Sequence, residues 1–175
     1  MPYETLHTET LFHGRAFNVR RDEIRLPDGK TARVDIVDHV GAVTLVPVDE
    51  QKRVWFVRQY RHPAGDILLE LPAGMVEPGE LPLDCARREI REEIGMAAGR
   101  IELIGEFYLA PGYSSEFMRV FLATDLRPDP LPGDADEFIS IEPIPFDVVM
   151  TMIENGKIHD AKTLASLMLA KRYLV

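Results

Sequence analysis

The sequence predicts an α/β fold: a mixed sheet with helices on both faces, preceded by a small antiparallel β-sheet. Three observations predict it. Residues 3–38 hold strand-like runs around a Pro27-Asp28-Gly29 turn signal and no helical pattern. From Gly41 the pattern shifts to dense apolar runs of strand length. Those runs then alternate with helical-period segments, with hairpins mixed in, which is the pattern of a mixed sheet covered on two sides.

In chain order, residues 3–13, 17–26 and 31–38 read as a three-strand meander. Three strands of this size are marginal alone, so they are expected to dock on the main domain or on a second subunit. Residues 42–48 and 54–60 read as buried strands joined in a hairpin through the polar turn 49–52, and 67–71 as a short strand ending at Pro72. Residues 83–94 form a helix with Leu83, Ala86, Ile90 and Ile94 at helical spacing. Pro82 suits its first position and Gly95 its C-terminal stop, whereas Leu81 is a weak N-cap. Strands follow at 101–108, 117–126 and 138–144, with an acidic loop at 129–137. A helix at 146–154 stops at Asn155-Gly156, and Asp160 is placed to cap a last helix from 161 to about 173. The domain expectation is a meander over 1–38 and a main domain over 39–175.

Bulk properties narrow the function. The chain has 175 residues, 46% hydrophobic and 28% charged, the profile of a globular protein. Its formal net charge of −9, without a Lys/Arg cluster, makes it a poor partner for nucleic acid. No stretch approaches the roughly 18 apolar residues of a membrane span, and the N-terminus is not a signal peptide. A single cysteine, Cys85, excludes an intrachain disulfide and fits the cytoplasm. An acidic protein that handles an anionic small molecule needs local arginines or a divalent cation.

The segment 74–96 holds that second possibility. At 3.6 residues per turn, Glu93 projects about 40° from Glu89 and Glu92 about 60° from it. Three carboxylates thus share one stripe beside the apolar face. Like charges at that spacing destabilise a helix modestly. A hard cation offsets the repulsion, because Mg²⁺ favours carboxylate and water oxygens. Composition alone favours a blander reading, a solvated face paired with Arg87, Arg88 and Arg91.

The wider spacing reverses that weighting. Gly74, Glu80, Arg88-Glu89-Ile90, Glu92-Glu93, Gly95 and Met96 match GX5EX7REUXEEXGU without a departure, where U is a bulky aliphatic residue. Chance produces this pattern in a chain of such length about once in ten million trials. The segment resembles the Nudix box, and the resemblance implies the α/β/α sandwich of Nudix hydrolases. It implies Glu89, Glu92 and Glu93 as metal-binding glutamates, with Glu92 and Glu93 catalytic, and the Ala73 carbonyl as a further ligand. Gly74 lets the loop backbone approach metal and phosphate. Arg88 holds the loop carboxylates, and Glu80 ties the loop to the helix or serves a site behind the ligands.

Three features outside the box resemble the ADP-ribose pyrophosphatases within this superfamily. Pro111 lies sixteen residues after Gly95, in a loop whose resemblance to the family's implies Glu116 as a substrate contact. Residues 57–61 and 70–74 resemble the family's approach to the box and imply Arg61 as a phosphate contact, a guanidinium fork being suited to phosphate oxygens. An exposed salt bridge is the alternative for Arg61. Asp160-Ala161-Lys162-Thr163 matches as well and is read as packing. In the family the N-terminal sheet is exchanged between two subunits of a homodimer. That makes Arg33, Phe12 and Phe17 candidates to hold adenine, of which Arg33 is carried into the site; ordinary strand packing is the other reading. A carboxylate of the loop after the box positions or deprotonates water in relatives; Glu137 is chosen here over Asp134 and Asp136. The expected activity is Mg²⁺-dependent hydrolysis of a nucleoside diphosphate-sugar, ADP-ribose first, with Mn²⁺ as a substitute. GDP-mannose is the alternative substrate, and a non-catalytic ligand-binding protein of the same fold is the alternative class.

Overall fold

The computed structural model of the chain describes residues 3–133 and 138–174. The elements, in order, are β1 (Glu4–His13), β2 (Asn18–Arg25), β3 (Thr31–Asp38), β4 (Ala42–Pro47), β5 (Arg53–Arg61), β6 (Asp66–Glu70), β7 (Ala73–Met75), α1 (Pro82–Glu93), β8 (Met96–Tyr108), β9 (Phe117–Pro128), β10 (Ile139–Pro145), α2 (Phe146–Glu154) and α3 (Ala161–Leu174). They divide between two compact units. One comprises the N-terminal residues through Gly41 together with Tyr108–Phe117; the other comprises Ala42–Phe107 with the residues from Met118 onward.

The first unit is the antiparallel sheet β1-β2-β3. Its β1 is exposed at every residue. Asp22 is its buried charge, satisfied by the Thr8 hydroxyl at 2.8 Å and Arg20 Nε at 3.3 Å. The Pro111 loop belongs to this unit: Val37 N–H donates to the Tyr113 carbonyl at 2.8 Å, and Ser115 N–H to the Val37 carbonyl at 3.0 Å.

The second unit contains a mixed sheet, β7-β4-β9-β8, in which β4 runs parallel to β9, and an antiparallel sheet, β10-β5-β6. Every residue of β4 is buried, as a strand covered on both faces requires. Alternation along it sorts the core. Val43 and Leu45 join Phe121 and Ala123 of β9 against Ala86 and Ile90 of α1. Val46 joins Val120 and Leu122 against Val149 of α2 and Leu167 and Ala170 of α3. The helices therefore cover opposite faces, in agreement with the expected α/β class.

Two details differ from the sequence expectation. The runs around residues 49–52 do not form a paired hairpin. Both edges of β4 are taken, by β7 and β9, so β5 passes into the other sheet and only a single bridge, Val48 with Val54, joins them. The strand expected from residue 101 starts at Met96, directly after Gly95 turns the chain at φ +68°. That left-handed turn, which glycine adopts without strain, redirects the chain two residues after Glu93, the last residue of the helix.

Candidate metal-binding site

The site is assembled by three elements of the second unit. The short strand β7 pairs with β4, Ala73 opposite Thr44 and Gly74 opposite Val43. This sets the first residues of the box beside α1. The helix buries Cys85, Ala86 and Ile90 completely, so its register is fixed by packing. Cys85 extends the apolar face beyond the residues picked out by periodicity. Glu89 lies next to that face and is only 8% exposed. A charged group buried this far needs partners.

Arg88 supplies one of them. Its Nη1 donates to Glu89 Oε1 at 2.6 Å and to Glu92 Oε2 at 2.9 Å. Its Nε and Nη2 grip the Glu80 carboxylate, both at 3.0 Å, and Nη2 also reaches the Met75 carbonyl at 3.2 Å. One guanidinium thus joins the loop to three carboxylates. Glu80 also accepts the Glu77 N–H at 3.0 Å, so it ties the loop to the helix. The Arg88 hydrogen bonds hold the Glu80 carboxyl below its ordinary value. The same glutamates push Arg88 further up. Burial, with Glu89 adding to it, pushes the Cys85 thiol up and keeps it protonated.

Glu93 faces the strand: its Oε2 accepts the Ala73 N–H at 3.2 Å. Gly74 approaches Glu89 so closely that a Cβ at position 74 would overlap the carboxylate. The required glycine therefore makes room for the glutamate itself. Ala73, Gly74, Glu89, Glu92 and Glu93 are brought together by β7 and α1.

This donor set suits a hard cation chemically, since it offers carboxylate and carbonyl oxygens and no nitrogen or sulfur on the stripe. The Gly74–Glu89 approach leaves backbone and carboxylate in one place. Among the described residues no three His, Cys, Asp or Glu side chains already form a metal-ligand cage. Glu89 and Glu92 are instead drawn to Arg88.

Arg61 lies on β5 and forms a two-pronged pair with Glu70, Nε to Oε1 and Nη2 to Oε2, both at 2.8 Å. These bonds lift the guanidinium above its ordinary value against burial, and the charges of Glu93 and Asp160 act in the same direction. Glu70 is a site residue that sequence reasoning missed. It is 1% exposed and is also bound by Lys162 Nζ of α3. Its one sequence signal was a charge placed directly before Leu71-Pro72, after the apolar run Ile67-Leu68-Leu69. Arg33, on β3, and Glu116, in the Pro111 loop, belong to the first unit. Phe12 and Phe17 are exposed there. Glu137, with Asp134 and Asp136, lies outside the described residues.

The chain belongs to the Nudix hydrolase family. It matches the NUDIX domain over residues 38–167 and the nucleoside diphosphate sugar hydrolase N-terminal domain over residues 3–33. An ADP-ribose pyrophosphatase of Bacillus subtilis (strain 168) is 33% identical over 162 residues, covering 91% of this chain and 88% of the relative. A GDP-mannose pyrophosphatase of Enterobacter sp. (strain 638) is 35% identical over 134 residues, 71% of this chain and 69% of the relative. The crystal structure of an ADP compounds hydrolase superposes with a TM-score of 0.88 at 25% identity, over 99% of this chain and 95% of that one. Nudix hydrolases generally use divalent metal ions.

Proposed function

We propose that this protein hydrolyses the diphosphate of a nucleoside diphosphate-sugar with Mg²⁺, ADP-ribose being its main substrate and AMP and ribose 5-phosphate the products. One observation carries the reading: β7 and α1 bring the Ala73 backbone, Gly74, Glu89 and Glu93 to one place, with Glu89 held against Gly74 and Glu93 on the Ala73 amide. The match to a nucleoside diphosphate sugar hydrolase N-terminal domain supports the substrate class, and the ADP-directed relatives support adenine. Mn²⁺ is the expected substitute metal.

The residues that would hold the ion are Glu89, Glu92 and Glu93 with the Ala73 carbonyl. When bound, a divalent cation supplies charge neutralisation at the diphosphate and activation of water. Arg88 keeps Glu89 and Glu92 from repelling one another and fixes their direction. Arg61, with one edge committed to Glu70, offers its other edge to a phosphate oxygen. Gly74 admits the substrate near the backbone, and Glu116 and Arg33 contact its remaining parts. Glu137 takes the proton of the attacking water as an oxygen–phosphorus bond forms and the bridging phosphorus–oxygen bond breaks. We place the protein in the cytoplasm as a homodimer joined through residues 1–38, with the Nudix domain over 39–175. Among the described residues, no helix is long and apolar enough to cross a membrane.

The test is a panel of nucleotide sugars incubated with Mg²⁺, read as phosphate made releasable by a phosphatase. Preference for ADP-ribose upholds the reading. Preference for GDP-mannose replaces adenine with guanine, and silence across the panel overturns the proposal.

A further inference from the structure

The first residues of α3 reach the run that leads into the box, and nothing in the activity proposed above uses them. Asp160 caps the helix. Its Oδ2 accepts the Thr163 N–H at 3.1 Å, the Thr163 hydroxyl at 2.6 Å and Lys162 Nζ at 2.8 Å. Cap, lysine and threonine are thereby held as one group. That group then contacts the run at two successive residues. Lys162 Nζ binds the Glu70 carboxylate, and the Thr163 Oγ1 accepts the Leu71 N–H at 2.8 Å. Thr163 is fully buried, Glu70 and Leu71 are each 1% exposed, and the Lys162 side chain is 12% exposed. These groups are largely shielded from solvent, so the geometry of their bonds is strongly specified.

The next residues are fixed in turn. The Pro72 carbonyl accepts Leu45 N–H at 2.8 Å and the Thr44 hydroxyl at 3.3 Å. The Ala73 amide is on Glu93. Four consecutive residues, 70 to 73, are therefore each pinned, and the run ends at the carbonyl and glutamate assigned to the metal. An ordinary helix cap does not need a largely shielded lysine on a carboxylate of a distant strand. Helix packing here is already supplied by Leu167 and Ala170.

We propose that Asp160, Lys162 and Thr163 form a positioning clamp, which sets the Ala73 carbonyl and Glu93 for metal binding and, through Glu70, aims Arg61. These three residues touch neither metal nor substrate. They act through the backbone of residues 70–73 and through the shared carboxylate. The inference rests on the metal site assigned above.

The test measures Mn²⁺ binding without substrate, by electron paramagnetic resonance of the free ion, alongside kcat and KM with Mg²⁺. The proteins are wild type, Thr163→Val, Thr163→Ser, Lys162→Met and Glu93→Gln, all checked by thermal unfolding. Thr163→Val is expected to weaken Mn²⁺ binding several-fold and lower kcat about tenfold, with Thr163→Ser restoring both. Lys162→Met, at a site that still touches solvent, is expected to fold and to raise KM several-fold because Glu70, without its lysine, holds Arg61 less firmly. A folded Thr163→Val or Lys162→Met protein with wild-type Mn²⁺ affinity, kcat and KM overturns the clamp. Should Thr163→Val not fold, Lys162→Met decides alone. Wild-type Mn²⁺ binding that survives Glu93→Gln unchanged overturns the metal site itself, an outcome distinct from failure of the clamp.

Discussion

Position 74 tolerates no side chain because the Glu89 carboxylate occupies the space where a Cβ would stand. Gly74→Ala must push Glu89 aside, and Glu89, largely buried, has little room to move. A displacement near 1 Å at a catalytic constellation costs about 10²-fold in rate. Gly74→Ala is therefore expected to lose about two orders of magnitude in kcat while remaining folded, destabilised by about 1–3 kcal/mol of overpacking. Near-normal kcat in that variant would show that Glu89 is not held in a working position by the glycine. Glu92 and Glu93 part company at this scale. Glu93 meets the strand through the Ala73 amide, whereas Glu92 meets Arg88. Glu93→Gln should fold and lose most turnover, since an amide still pairs with Ala73 but brings no negative charge; retained turnover would remove Glu93 from the site. That Gly74 and the glutamates lie close together was legible in the sequence, because they belong to one loop and one helix, where spacing fixes geometry. Glu70 was not legible, because its meaning comes from Lys162, a partner 92 residues away.

Among the elements, α1 holds the glutamates proposed for the metal and has no side-chain N-cap. Leu81 offers no side-chain cap, and Pro82 supplies only a preset first turn. The Glu80–Arg88 pair takes over the task of fastening the loop to the helix. Because Arg88 hydrogen bonds lower the folded pKa of Glu80, the unfolded chain binds its proton more readily. The stability from this pair is thus fully present above the ordinary carboxylate value of about 4.5 and is lost as pH falls through the lower folded value. Glu80→Gln is expected to cost on the order of 1–2 kcal/mol at pH 7, as loss of a charged hydrogen bond does. Its denaturant midpoint should then fall less steeply than wild type between pH 6 and about 3; parallel curves for the two proteins would show that Glu80 is not the group responsible. On the opposite side of the same helix, Ile90→Ala should cost about 2–5 kcal/mol by opening a cavity under a fully buried side chain. The boundaries of α1 were readable from Pro82, Gly95 and the apolar period. The start of β8 at Met96 was not, because Met96-Ala97-Ala98 suits a helix as well as a strand and only the left-handed Gly95 decides between them.

Across the whole molecule, the class of fold followed from the alternation of patterns, but the pairing of strands did not. The β4 run is apolar on both faces, which says that it is central and not which strands flank it. Its neighbours proved to be β7 and, in parallel, β9, a choice made by partners distant in sequence. A polar turn between two apolar runs therefore looked like a hairpin and was a passage between sheets. The N-terminal unit raises the complementary question, because its strands were legible and their burial was not. Leu6, Leu11 and Phe12 of β1 are all exposed, along with Phe17 beside it. A three-stranded sheet with its outer strand bare is marginal unless that strand is covered. A second copy of the chain is the cover we infer, and a stable pair needs an interface of about 1,200–2,000 Å². Sedimentation at micromolar concentration should then find a dimer, and a Leu11→Glu, Phe12→Glu double variant a monomer, since a charge desolvated at an apolar contact is costly. The variant should keep the far-UV signal of the Nudix domain, because neither residue contributes to that core. A wild-type protein that sediments as a monomer, or a variant that stays dimeric, would mean that β1 is not where the copies meet.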